Sequence, residues 1–215
     1  MKALRRLIQF ENESRVMNSH FPFTIRSIKC SIKVPKLFEL EDIIQRCKQE
    51  KCELSTYPNF VVFSKLKSKK LPTDFNSNVK YTFFRYSKST DLLKPSQHLN
   101  ISGLTNFQHL KPCTEVLADL LNIDASSLHC IIDNLNATSK LPSRINKSKF
   151  VKIIPKVFQQ FERFPAIFIR YSGIVILLYA SGNCVFSGAR SIDQLEKASS
   201  YLKSCYAIYL TSINS

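Results

Sequence analysis

The side chains of this 215-residue chain that could do chemistry are mostly cationic: 31 Lys and Arg stand against 16 Asp and Glu, a net charge of +15. Lys65, Lys67, Lys69, Lys70 and Lys80 share one stretch with Pro72, and Lys88 and Lys94 share another with Pro95. Both stretches read as exposed basic loops. Such an excess suits a polyanionic partner, most simply nucleic acid, or else is solvated charge that binds nothing specific. Nothing is spaced for catalysis. The chain has 4 Gly, no Gly-rich phosphate loop, no nucleophile elbow, no paired His-Glu motif and no carboxylate cluster. Its 7 Cys include no Cys-x-x-Cys pair; Cys47 and Cys52 lie closest together, without a His pair near them. They read as reduced thiols filling core positions, so neither a metal nor a cofactor is expected and the chain is not read as an enzyme.

The elements that would position any binding residues are clearest between Phe164 and Ser191. Three apolar runs there, rich in Ile, Val, Phe and Tyr, are separated by Ser172-Gly173 and by Ser181-Gly182-Asn183, the pattern of consecutive antiparallel strands. After Ser191 the period becomes helical through Ile192, Leu195, Ala198, Leu202 and Cys205, with Ser191 and Gln194 as a capping box. A degenerate copy lies upstream. Tyr57 to Phe63 parallels Phe164 to Arg170, Tyr81 to Phe84 parallels Ile176 to Tyr179, and Leu99 to Leu104 parallels Cys184 to Ala189. The copies stand roughly 105 residues apart, which suits a two-fold pseudo-repeat.

Each copy is preceded by a strand and a helix. Phe23 to Lys33 alternates and is closed by Pro35; a helix then carries Leu37, Leu40, Ile44 and Cys47 on one stripe. Leu128 to Lys140, closed by Pro142, is the matching strand, and Phe150 to Phe161 reads as a helix bent or restarted at Pro155. A helix with Cys113, Val116, Leu117, Leu120 and Leu121 closes the first half, starting later than its counterpart because of Pro112. The class is α+β, with helices on one side of an antiparallel sheet. Residues 1–22 read as a basic arm, 23–125 as the first repeat and 126–215 as the second. A hydrophobic fraction of 44% is enough for a core. No signal peptide is visible, and the most apolar run, Ala166 to Ala180, is interrupted by Arg170 and too short to span a bilayer. These features predict a soluble intracellular protein.

Phe164-Pro165, the strand ending at Ser181-Gly182, and Phe186-Ser187-Gly188-Ala189-Arg190 resemble the second repeat of the TATA-binding protein family, and Leu141-Pro142-Ser143-Arg144-Ile145 resembles the segment before its first helix. The resemblance covers about residues 23–208, strongly in the second half and weakly in the first. It implies a saddle of two pseudo-symmetric repeats, a curved antiparallel sheet with helices on the convex face and minor-groove DNA under the concave one. The mechanism that the resemblance implies is that family's own, the insertion of aromatic wedges between base steps. By position the wedges are Tyr57 and Phe84 in the first half, Phe164 and Tyr179 in the second.

The same resemblance places Leu177, Val185 and Ser187, with Thr82, Asn100 and Ser102, against the groove. Its central-strand Asn positions fall near Ser27 and Lys29 in one half, and near Ile132 and Asn134 in the other. Asn134 and Asn136 share a face and would serve after a register shift. Arg170 and Arg190 match backbone-flanking basic positions whose first-repeat counterparts are Phe63 and Thr105, and Glu162 matches the acidic residue that docks a B-type initiation factor.

A·T pairs offer only acceptors in the minor groove, so an apolar face can lie on them where G·C would present an unpartnered donor. The implied function is a transcription initiation factor that binds and bends AT-rich promoter double-stranded DNA and recruits RNA polymerase machinery in the nucleus, without a membrane role. The Lys/Asn/Phe/Ile-rich composition suggests an AT-rich genome such as a virus's, which would make that the host nucleus. Two alternatives remain at this level: a protein-interaction module of a transcription complex that no longer grips DNA, favoured by Lys29, Asn100 and Asn134, and a nonspecific nucleic-acid binder using the basic loops alone.

Overall fold

The computed structural model describes residues 23–66, 68–75, 78–85, 97–154, 157–158 and 164–214. They fall into two compact units, Ser27–Asp133 on one hand and residues 134–214 with 23–26 on the other. The division passes through the two longest strands, β1 (Thr24–Val34) and β6 (His129–Lys140).

In the first unit β1 is followed by α1 (Leu40–Gln49), β2 (Glu53–Thr56), β3 (Phe60–Ser64), β4 (Lys80–Phe84), β5 (Gln97–Leu104) and α2 (Leu110–Leu121). The strands pair antiparallel in the order β2-β3-β4-β5-β1. Strand alternation sends Ile28, Cys30, Ile32, Val61, Phe63, Tyr81, Phe83, Leu99 and Ile101 into the core, where Ile43 and Cys47 of α1 and Leu117 of α2 are also fully buried. Phe63 and Tyr81 stack there with ring centroids 5.2 Å apart. Ile43, not Ile44, faces inward on α1, and Leu37 stays exposed ahead of the helix. A 3-10 turn, Phe107–His109, precedes α2 and accounts for its late start.

The second unit repeats the plan: β6, α3 (Lys147–Ile153), β7 (Val157–Phe158), β8 (Ala166–Tyr171), β9 (Ile174–Tyr179), β10 (Asn183–Ala189) and α4 (Ile192–Asn214). Its order is β6-β10-β9-β8-β7, again antiparallel. Ile167, Ile169, Ile176, Leu178, Cys184 and Phe186 are buried, as are Leu195, Ala198, Leu202 and Cys205 on α4. Phe150 of α3 packs against Tyr209 of α4 at 5.3 Å, and the Tyr209 hydroxyl accepts a 2.9 Å hydrogen bond from the Asn146 backbone N–H at the start of α3. The capping box forms with one change. Ser191 Oγ accepts from the Gln194 N–H at 3.2 Å, while Gln194 Oε1 accepts from Arg190 rather than Ser191.

The helix expected over Phe150–Phe161 is shorter than its pattern. It ends at Ile153, because Ile154 precedes a proline and is held extended at φ −97°, ψ 113°; Val157–Phe158 then forms a short strand against β8.

The two ladders share an irregularity. Between Ile28↔Leu104 and Cys30↔Ile101, Ser102-Gly103 face the single residue Lys29; between Leu135↔Ala189 and Ala137↔Phe186, Ser187-Gly188 face Asn136. Each is a β-bulge with its glycine at positive φ, +86° at Gly103 and +97° at Gly188. A Cβ on Gly103 would stand 2.8 Å from the Asn78 carbonyl oxygen. Gly103→Ala is expected to cost about 1–3 kcal/mol in urea unfolding, because strain and overlap add.

Burial pushes the Cys47 and Cys184 thiols up to about 12. Their ordinary value is about 8.5, so the neutral thiols support the fold fully below that pH, and the support is lost as pH rises toward 12. Denaturant titrations at stepped alkaline pH should show stability falling through that window, and double substitution of Cys47 and Cys184 by Ala should flatten the fall.

Candidate nucleic-acid interface

A strand alternates, so every residue committed to one side of these ladders fixes its neighbours on the other. In the first unit the side away from the core carries Ser31 on β1, Asn100 and Ser102 on β5, Thr82 and Phe84 on β4, and Phe60 and Val62 on β3, each half-buried or exposed. In the second it carries Asn134, Asn136 and Thr138 on β6, Val185 and Ser187 on β10, Leu177 and Tyr179 on β9, and Phe168 on β8.

The pairings line these residues into rows. Ser31, Asn100, Thr82 and Val62 are successive cross-strand partners in the first unit. Thr138, Val185, Leu177 and Phe168 are successive partners in the second. Each row ends on a charged side chain. Ser31 Oγ donates to Asp133 Oδ1 at 3.0 Å, and Arg26 Nε donates to Thr138 Oγ1 at 2.9 Å. Arg26, Thr138, Tyr179, Asn183 and Val185 line an open groove of about 640 Å³ within the second unit.

Aromatic side chains stand along the margin of each face. Tyr57 is 49% exposed, Phe84 36% and Phe164 38%. Tyr57 stacks on Phe60 with centroids 4.4 Å apart, Phe60 meets Phe84 at 5.9 Å, and Phe164 meets Phe168 at 5.3 Å. Tyr179 lies opposite Ala166 across the β8–β9 ladder. Phe84 is anchored by its backbone: the buried Gln97 amide donates to the Phe84 carbonyl at 2.9 Å and to that of Phe38 at 3.0 Å, and accepts from the Phe38 N–H at 2.8 Å. A buried amide with its partners met is a rigid support.

The ladders correct the alignment of the two halves. Arg170 pairs with Val175 as Ser64 pairs with Lys80, so the first-unit counterpart of Arg170 is Ser64; Phe63 matches the buried Ile169 instead. Tyr57-Pro58-Asn59 carries one residue more than Phe164-Pro165 before its strand, which displaces an alignment made on residue types. The bulges show likewise that Ser27 corresponds to Asn134 and Lys29 to Asn136. Ile132 is buried and cannot occupy the face. Asn134 Oδ1 accepts the Gly188 N–H at 2.8 Å, and its amide reaches Asn136 Oδ1 at 3.4 Å.

Asp133 in the first unit, and Arg26 and Thr138 in the second, belong to these faces without being singled out by the sequence pattern. The signal lies in the break of alternation at Ile25–Ile28 and at Ile132–Leu135, which marks both long strands at matching positions.

Some of the cations are held by acidic neighbours. Lys65 pairs with Glu53, and Lys70 with Asp119 at 2.6 Å. Lys29, Lys33, Lys69, Lys80, Arg170 and Arg190 are exposed, as Lys65 and Lys70 are. Glu162, Lys67, Lys88 and Lys94 lie outside the described residues. Among the described residues no group of three or more His, Cys, Asp or Glu is placed to hold a metal, and no helix is long and apolar enough to cross a membrane.

Residues 129–205 match the family described as transcription factor TFIID, or TATA-binding protein. The TATA-box-binding proteins of Thermococcus kodakarensis and Pyrococcus horikoshii are each 31% identical over 78 residues, 35% of this chain. The match spans 41% of the length of those curated relatives. The fold is similar to that of Methanococcus jannaschii TBP with a TM-score of 0.64 at 18% identity, over 88% of this chain and 98% of that one. The expected fold class therefore holds over both halves, including the first, where sequence similarity is faint.

An aromatic on an open face should contribute little to folding. Tyr57→Ala and Phe164→Ala are expected to change unfolding free energy by under about 1 kcal/mol, against about 3–5 kcal/mol for the buried Phe186→Ala. Equal losses in denaturant melts would return the exposed aromatics to the core.

Proposed function

From the premise that this chain is a divergent member of the non-enzymatic TATA-binding protein family, we propose that it is a transcription initiation factor that binds AT-rich promoter DNA through the minor groove and bends it. The observation that carries this reading is the pair of aromatic clusters, Tyr57–Phe60–Phe84 and Phe164–Phe168, each beside a row of short side chains on a strand face turned away from the core.

A strand face bearing Leu177, Val185 and Phe168 fits a groove floor that projects no amine, as at A·T pairs. Aromatics at its margin are placed to enter a base step, with Phe84 and Phe164 the wedges proper. Tyr57 and Tyr179 stack as well but keep their hydroxyls at the solvated rim, because a phenol oxygen buried in a base stack would lose its hydrogen bonds. Ser102 and Ser187, raised on the two bulges, offer hydroxyls to base acceptors, Lys29 adds a further donor, and the amides of Asn100 and Asn134 extend the hydrogen-bonding set. Arg170 and Arg190 meet phosphates and make affinity fall with salt. Recruitment of a B-type initiation factor and the RNA polymerase machinery, with Glu162 as a contact, follows from the same reading, as does action in the nucleus.

A second reading has its own support. Asn100 stands where the second unit has Val185, and with Lys29 and Asn134 it adds polar character to these faces, which suits a protein partner.

Titration of end-labelled AT-rich and GC-rich duplexes by energy transfer separates these readings. Tighter binding to the AT-rich duplex, with its ends drawn together, is the expected result. Binding without bending would point to a nonspecific binder, and no binding to the interaction module. Phe164→Ala should reduce bending more than Lys69→Ala does; equal reductions would remove Phe164 from the wedge role.

A further inference from the structure

The two rows differ in which hydrogen-bonding partner they leave for a ligand. In the first unit the Ser31 hydroxyl hydrogen is committed to Asp133, so the serine oxygen keeps only acceptor capacity toward anything outside. Asp133 is acceptor-only when ionised, and Asn100, paired with Ser31 across the ladder, adds a carbonyl oxygen. In the second unit the sense is reversed. Thr138 Oγ1 is the acceptor and Arg26 Nε the donor, so the threonine hydrogen remains to be given away, and Arg26 carries only donors. The rest of that row, Val185, Leu177 and Phe168, is apolar, where the first has Asn100, Thr82 and Val62.

The minor groove distinguishes base pairs by one group. A·T pairs present acceptors alone, and a G·C pair adds the guanine amine, a donor. A carboxylate beside a floor of acceptors is repelled, whereas beside an amine it is satisfied. We infer that the two units read different base pairs: the first, through Asp133, Ser31 and Asn100, takes a base pair that carries a minor-groove amine, and the second, through Arg26, Thr138 and its apolar row, takes A·T. The preferred site is then asymmetric, with one amine-bearing pair in one half of an otherwise AT-rich sequence, and that asymmetry sets the direction in which the protein lies. This inference rests on the DNA-binding reading above and adds the identity of the base pairs.

The test uses the full chain and a duplex with two identical, inverted A·T halves. An adenine in neither, one or both halves is replaced by 2,6-diaminopurine, which still pairs with thymine but adds an amine to the minor groove. Binding to the singly substituted duplex should be about tenfold tighter than to the unsubstituted one, the size of a satisfied base contact, and the doubly substituted duplex should bind more weakly than the single. Asp133→Asn, close to isosteric, should erase most of the tenfold advantage. The duplex comparison itself needs no protein variant, so a misfolded Asp133→Asn leaves the inference testable. Equal or weaker binding of the singly substituted duplex, with the unsubstituted one still bound, would overturn the inference and leave the DNA-binding reading intact. Failure to bind any of the three would overturn both.

Discussion

The two-residue period of the strands places the side chains on their open sides. Ile28, Cys30 and Ile32 fill the first unit's core, so Lys29, Ser31 and Lys33 between them must face away from it. Ile176 and Leu178 do the same for Leu177 and Tyr179 in the second unit. Slipping β1 by one residue would bury Lys29 and Ser31 and expose the core, so the hydrophobic demand of one side holds the other in register. The bulges at Gly103 and Gly188 are the places where that rule is locally suspended, and each delivers a serine to the open side.

The same constraint decides what the sequence can reveal. The Phe164–Ser191 meander and the helix after it are legible because alternation, turn glycines and a capping box agree there. The segment Phe150–Phe161 misleads because Val151, Ile154, Val157 and Phe158 fit a helical stripe as well as a short strand, and only the conformational demand of the following proline separates the two. The aromatics Tyr57, Phe84 and Phe164 can be proposed for the open side by analogy between halves, yet the correct partner of Arg170 cannot. One extra residue at Pro58-Asn59 shifts the alignment, and nothing in the residue types marks where it is absorbed. Arg26 and Asp133 are hidden for a related reason: the change of alternation shows at Ile25–Ile28 and Ile132–Leu135, but only the pairings fix the side it gives them.

Charge is distributed by two different rules. Lys65 and Lys70 answer acidic neighbours on their own unit and contribute little beyond local order, as exposed pairs usually do. Arg26, Lys29 and Lys33 stand on β1, where no core packing requires them. The net charge of +15 thus includes cations already paired, such as Lys65 and Lys70, and others that β1 carries.

The central claim is that these open strand faces meet DNA from its minor groove. It is tested most directly by replacing the A·T pairs of a bound AT-rich duplex with inosine·cytosine pairs, which keep the same minor-groove groups and change the major groove to that of G·C. Affinity should stay within about twofold of the A·T duplex, since each lost base contact would instead cost about tenfold. A loss of tenfold or more would place the contacts in the major groove and contradict the account.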